Sequence, residues 1–84
     1  MRSKDFAKFF AQAVRQQRKA RKLTQEQLAE RADLASKMIS LVERFERNPS
    51  VNVADSIAQG LGIPLWRLVK AAENLREGIP KRQI

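Results

Sequence analysis

Two short helical patterns separated by three residues constrain this chain more than any other feature. In Thr24-Gln25-Glu26-Gln27-Leu28-Ala29-Glu30-Arg31-Ala32, Thr24 and Gln27 stand at capping-box spacing. Leu28, Ala29 and Ala32 then share one face of a helix. Asp33 follows, a residue type that tolerates a left-handed turn conformation, and Leu34 is expected to turn inward and plug the corner. A second helix is predicted from about Ser36 to Arg44, with Ile39 and Val42 inward. Helices this short do not persist alone in water, so the two must pack across each other. A steep crossing requires a small residue at the approach, and Ala29 supplies it.

The remaining segments supply three more helices. Ser3 reads as an N-cap with Asp5 in the first turn, where the helix dipole favours an anion. Phe6, Phe10, Ala13, Val14 and Gln17 recur at helical spacing, and Arg18, Lys19, Arg21 and Lys22 crowd the last turn, which gives a first helix over about Lys4 to Arg21. Asn48-Pro49 interrupts the pattern. Ser50 then caps a fourth helix with Val53, Ile57 and Leu61 inward. Gly60 lies near its end, and Gly62 reads as the glycine that stops it. Ile63-Pro64 makes a corner. Leu65, Leu68, Val69, Ala72 and Leu75 trace a fifth helix that Gly78 and Pro80 close. Strand-period alternation is absent from the sequence. The expected architecture is all-α, a compact orthogonal bundle of five helices forming one domain over residues 1–78, with 79–84 as a loose tail.

Composition narrows the function classes. The chain has no cysteine and no histidine, so the commonest general base, thiolate nucleophiles and the usual zinc ligands are all missing. With no tight carboxylate cluster either, no catalytic residue, metal or cofactor is expected. No apolar run approaches the roughly 20 residues that span a bilayer, and the first residues lack a signal-peptide core. A cytoplasmic, nucleoid-associated protein without a membrane partner is expected. The formal charge is +8, which points to a polyanion partner. Its distribution is uneven: residues 1–22 carry a net +7, residues 23–48 a net −1 and residues 49–84 a net +2.

The string Leu23-Thr24-Gln25-Glu26-Gln27-Leu28-Ala29-Glu30-Arg31-Ala32, with Ile39-Ser40, Glu43-Arg44, Asn48-Pro49-Ser50 and Ala58-x-x-Leu61-Gly62-Ile63, resembles the lambda-repressor/Cro-like (Xre-type) helix-turn-helix family over about Phe10 to Val69. The resemblance implies a DNA-binding fold whose helices 2 and 3 form the helix-turn-helix, with helix 3 in the major groove of double-stranded DNA. It implies base-reading roles for Gln25, Ser36, Lys37, Met38, Ser40 and Leu41. Lys37 suits guanine, and Met38 or Leu41 suits a thymine methyl. Arg15, Arg18, Thr24, Arg44, Arg47 and Asn48 are expected on phosphates, which position a protein without reading sequence. Glu43 matches a half-buried family glutamate, expected in a structural ion pair with Arg31 or Arg18.

Several positions depart from the family pattern. Lys22, Asp33 and Phe45 stand where glycine is common. Ala35 replaces the usual Ser or Thr cap of helix 3, and Gln17 replaces a core leucine. Phe45 is expected either to extend helix 3 by a turn or to fill a hydrophobic gap.

One such unit reads only a few base pairs, so a homodimer on a palindromic operator is expected. Trp66, Val69, Leu75 and Ile79 are its candidate interface, unless Trp66 packs within its own domain. The implied function is a sequence-specific transcriptional regulator. The alternative is an antitoxin or adaptor module whose DNA binding is secondary. RNA binding finds no stacking platform among the five aromatic residues, of which Phe6 and Phe10 look internal.

Overall fold

The computed structural model describes residues 3–78, and the side chains from residue 6 onward. The side chains of Ser3 and Asp5, on which the expected cap and first-turn charge rest, and residues 79–84 with Ile79 therefore lie outside what the structure describes. Five helices follow in order: α1 (Ser3–Ala20), α2 (Gln25–Ala32), α3 (Ser36–Glu43), α4 (Val51–Leu61) and α5 (Leu65–Glu77). Among the described residues there is no strand.

The inward residues of all five helices meet in one core. Val14, Leu28, Ile39, Val42, Ile57 and Leu68 are completely buried there. α1 lies along α5, and α2 packs against both α3 and α4. Ala29 is buried as its crossing position requires, and Leu34 is half-buried against the core at the α2–α3 corner. Val53, expected inward, is only half-buried. The tightest approach lies at Gly60, where a Cβ would stand 3.0 Å from the Ala32 amide nitrogen and 3.0 Å from a Leu28 methyl.

The helix starts follow the sequence signals. Thr24 and Gln27 form the full capping box: Thr24 Oγ1 accepts the Gln27 amide at 3.0 Å, and Gln27 Oε1 accepts the Thr24 amide at 2.9 Å. Ser50 Oγ accepts the Val53 amide at 3.1 Å. Ala35 has the extended backbone of a cap but no side-chain oxygen to offer.

The helix ends share one device. Helices α1 to α4 each close with a left-handed residue and a paired set of amide-to-carbonyl bonds, the Schellman arrangement. The left-handed residues are Lys22, Asp33, Phe45 and Gly62. Three are not glycine, at the positions where the family resemblance expects one. The next residue is apolar at Leu23, Leu34 and Ile63 but charged at Glu46, so the α3 ending lacks the apolar contact that usually accompanies this turn.

Phe45 therefore neither extends helix 3 nor fills a gap. Its φ is +60°, its amide bonds back to Val42 O at 3.0 Å, and Glu46 N bonds to Leu41 O at 2.9 Å. The chain leaves α3 at Arg44, and Phe45 remains 43% exposed.

Candidate nucleic-acid interface

The helix α3 is anchored by Ile39 and Val42 beneath it. Its opposite side presents Ser36 and Lys37, both exposed, and Ser40 and Leu41, both half-buried. Met38 is also half-buried and packs on the core, so only part of its side chain faces outward. Hydroxyls, one free cation and small apolar surfaces thus share one side of the helix, a mixture suited to base edges.

Beneath this surface lies a polar knot. Glu43 ends α3, where the helix dipole disfavours an anion, and its side chain is only 3% exposed. Arg18 compensates it from α1 with a two-pronged contact: Nε to Oε2 at 2.7 Å and Nη2 to Oε1 at 3.0 Å. Such forked, charge-assisted bonds are the strong kind. Arg18 Nη1 also donates to Leu23 O at 2.8 Å. Gln25 Nε2 donates to Glu43 Oε1 at 3.1 Å. The hydrogen bond that Arg18 donates to Glu43 holds its guanidinium above the ordinary value, against the opposing effect of burial. One knot thereby ties the end of α1, the loop after it, the start of α2 and the end of α3.

This geometry corrects the expectation that Arg18 contacts phosphate. Its side chain is 11% exposed and its donors are aimed inward, at Glu43 and Leu23. Arg18, not Arg31, is the partner of Glu43. The ion pair expected of Glu43 is thus present with one of its two candidate partners, and the sequence left the choice open because that partner lies 25 residues away. The Gln25 bond to Glu43 was invisible in the sequence.

The other cationic candidates remain at the surface. Arg15, Lys37 and Arg47 are exposed and form no ion pair among the described residues. Arg44 meets Glu46 at 3.1 Å, but both side chains are more than half exposed, so the pair is weak and exchangeable. Thr24 and Asn48 are exposed as well, Thr24 with its hydroxyl oxygen engaged in the cap.

A different face carries the dimer candidates. Trp66 is 65% exposed and so is not part of its own domain's core. The Arg67 guanidinium lies 5.4 Å from the centre of its ring. Val69 lines an apolar groove with Phe6, Phe10, Pro49, Val51 and Leu65. Leu75 is half-buried against the core. Among the described residues, no cluster of acidic side chains could hold a metal, and no helix is long and apolar enough to cross a membrane.

Comparison with known proteins agrees with this geometry. The helix-turn-helix family model matches residues 14–65. An immunity repressor protein of Bacillus phage phi105 is 38% identical over 66 residues, which is 79% of this chain and 46% of the relative. The chain thus spans about half the length of that curated relative. Among solved structures, the restriction-modification controller protein C.AhdI from Aeromonas hydrophila aligns with a TM-score of 0.71 at 34% identity, over 74% of this chain and 94% of that one. The clp gene regulator ClgR from C. glutamicum aligns with a TM-score of 0.76 over 83% of this chain and 91% of that one, and at 21% identity it shows likeness of fold alone. On the match to residues 14–65 and the α2–turn–α3 geometry, the chain belongs to the lambda-repressor/Cro-like (Xre-type) helix-turn-helix family.

Proposed function

We propose that this protein is a sequence-specific DNA-binding transcriptional regulator of the cytoplasm, acting as a homodimer on a palindromic operator. The observation that carries this reading is α3 itself: a helix anchored by Ile39 and Val42 whose other side leaves Ser36, Lys37, Ser40 and Leu41 outward. In this reading α3 enters the major groove. Ser36, Lys37, Ser40 and Leu41 meet base edges, with part of Met38 beside them. Arg15, Thr24, Arg44, Arg47 and Asn48 meet phosphates. The exposed Trp66, with Val69, Leu75 and Ile79, supplies the contact between two copies, setting their α3 helices about 34 Å apart, one turn of DNA. The repressor and controller relatives support the same reading.

The deciding experiment is selection of bound sites from random duplexes at two salt concentrations. A palindromic enriched motif is expected, with affinity falling steeply as salt rises. No enrichment at all would overturn the reading.

A further inference from the structure

Among the described residues, Phe45 is the one bulky apolar side chain on a left-handed backbone. The others there are Lys22, Asp33, Gly62 and Gly78. A bulky residue at positive φ is an outlier, and strain of this kind clusters at functional sites. The free chain offers little in return for it. Phe45 stays exposed. Lys22 and Asp33 are each followed by an apolar residue, whereas Phe45 is followed by the exposed Glu46.

Its position indicates what the ring could meet. Residues 44 to 48 are all exposed in the loop from α3 to α4, and Arg44 and Arg47 flank Phe45. Arg47 has no ion pair among the described residues, and Arg44 has only its exposed contact with Glu46. A duplex backbone drawn onto these two guanidinium groups brings its sugars with it, an apolar surface beside each anionic one. Ser36 opens α3, and Glu43 ends it about 10 Å further along the axis. Phe45 lies beyond that end. A recognition helix reads bases through its N-terminal residues, so position 45 falls with the backbone contacts.

We propose, on the reading of α3 as a DNA-reading helix, that Phe45 is a DNA-binding residue whose ring packs on deoxyribose between the phosphates held by Arg44 and Arg47. Sugar contacts carry no sequence information directly, so this one adds affinity to every duplex alike. The strain at position 45 is then a loss of stability exchanged for binding.

Binding of the full chain to its enriched duplex and to random duplex, over a range of salt, tests this in Phe45→Gly and Phe45→Asn. Glycine and asparagine both accept the left-handed turn, so the fold is kept while the ring is lost. Each variant should bind both duplexes about fivefold more weakly, the scale of covering the exposed part of a phenylalanine. The salt slope should stay as it is, because a phenyl ring releases no counterion. Thermal unfolding supplies a second readout. Phe45→Gly should melt no lower than the wild type, so that binding falls while stability does not. A ring with a merely structural role would lower both together.

Unchanged affinity in the two variants would overturn the proposal. So would a melting midpoint that falls along with affinity. A loss confined to one base pair would make Phe45 a base contact, and a lower salt slope would trace the loss to displaced arginines; either result overturns it. Weaker self-association with unchanged DNA affinity per dimer would place Phe45 between copies and do the same. If the wild type enriches no site, the DNA-reading function fails, and this proposal with it. If it enriches one that both variants bind equally well, the proposal alone fails.

Discussion

Gly60 of α4 faces the backbone of Ala32 so closely that a methyl group on it would stand 3.0 Å from the Ala32 amide nitrogen. The Leu28 methyl at 3.0 Å could shift, but the Ala32 backbone in the last turn of α2 could not do so cheaply. Gly60→Ala should therefore destabilise the fold by about 1–3 kcal/mol, the scale of overpacking, despite alanine's helix propensity advantage of about 1 kcal/mol. Urea unfolding at constant m-value checks the sign. A more stable variant would show that α2 and α4 separate readily.

The Arg18–Glu43 pair predicts an asymmetry. Removing one partner of a buried pair costs about 3–5 kcal/mol because the other charge is stranded. Glu43 is the more enclosed of the two, and Arg18 keeps its bond to Leu23 O without it. Arg18→Ala should therefore lose more stability than Glu43→Ala, and Arg18→Met with Glu43→Leu should recover much of the loss. Because Arg18 is shifted upward, its contribution is present at every pH below the ordinary arginine value and fades only above it. Its titration adds no pH dependence between about pH 6 and 9.

Phe45→Gly should stabilise the protein. A bulky residue at φ +60° carries left-handed strain of about 1–2 kcal/mol, and a phenylalanine that is 43% exposed gains only part of its burial energy. Glycine's unfolded-state entropy offsets some of the relief, leaving a gain of about 0.5–1 kcal/mol. For a domain of this size that raises the melting midpoint by a few degrees, measurable by calorimetry.

Lys37 and Arg47 should separate reading from gripping. Lys37→Ala is expected to lose about 1–3 kcal/mol at one operator position while random DNA is bound nearly as before. Arg47→Ala is expected to weaken all sequences alike and lower the salt slope by about 1. Equal losses on operator and random DNA in both variants would refute the assignment of α3.

Trp66→Ala should weaken self-association by at least tenfold and leave monomer stability nearly unchanged, since Trp66 is 65% exposed in the single chain. Sedimentation equilibrium measures the first and thermal unfolding of the dilute protein the second. A variant that dimerises as well as the wild type would remove Trp66 from the interface.

Much of this architecture is written locally. The capping box at Thr24 and Gln27, the Ser50 cap and the Gly62 turn each need only neighbouring residues, and all three are present. The left-handed turns at Lys22, Asp33 and Phe45 fall where the family resemblance places glycine. Phe45 still misled, because its hydrophobicity argued for burial while two backbone bonds decided its conformation. What stayed hidden is tertiary. Arg18 resembles Arg15 and Arg21 in sequence, and only the packing of α1 shows which guanidinium turns inward. Gly60 reads as a residue near a helix end, yet its role is a close approach to another helix's backbone.

The Arg18 knot also limits how portable the recognition unit is. Residues 24–49 look like a self-contained cassette, but the counter-charge for Glu43 comes from outside them. A graft of those residues onto another scaffold would arrive with a stranded carboxylate. It would also leave Gln25 without a fixed direction unless the host supplied an arginine in the same place. The smallest transferable reader is thus the cassette together with the last turn of the helix before it.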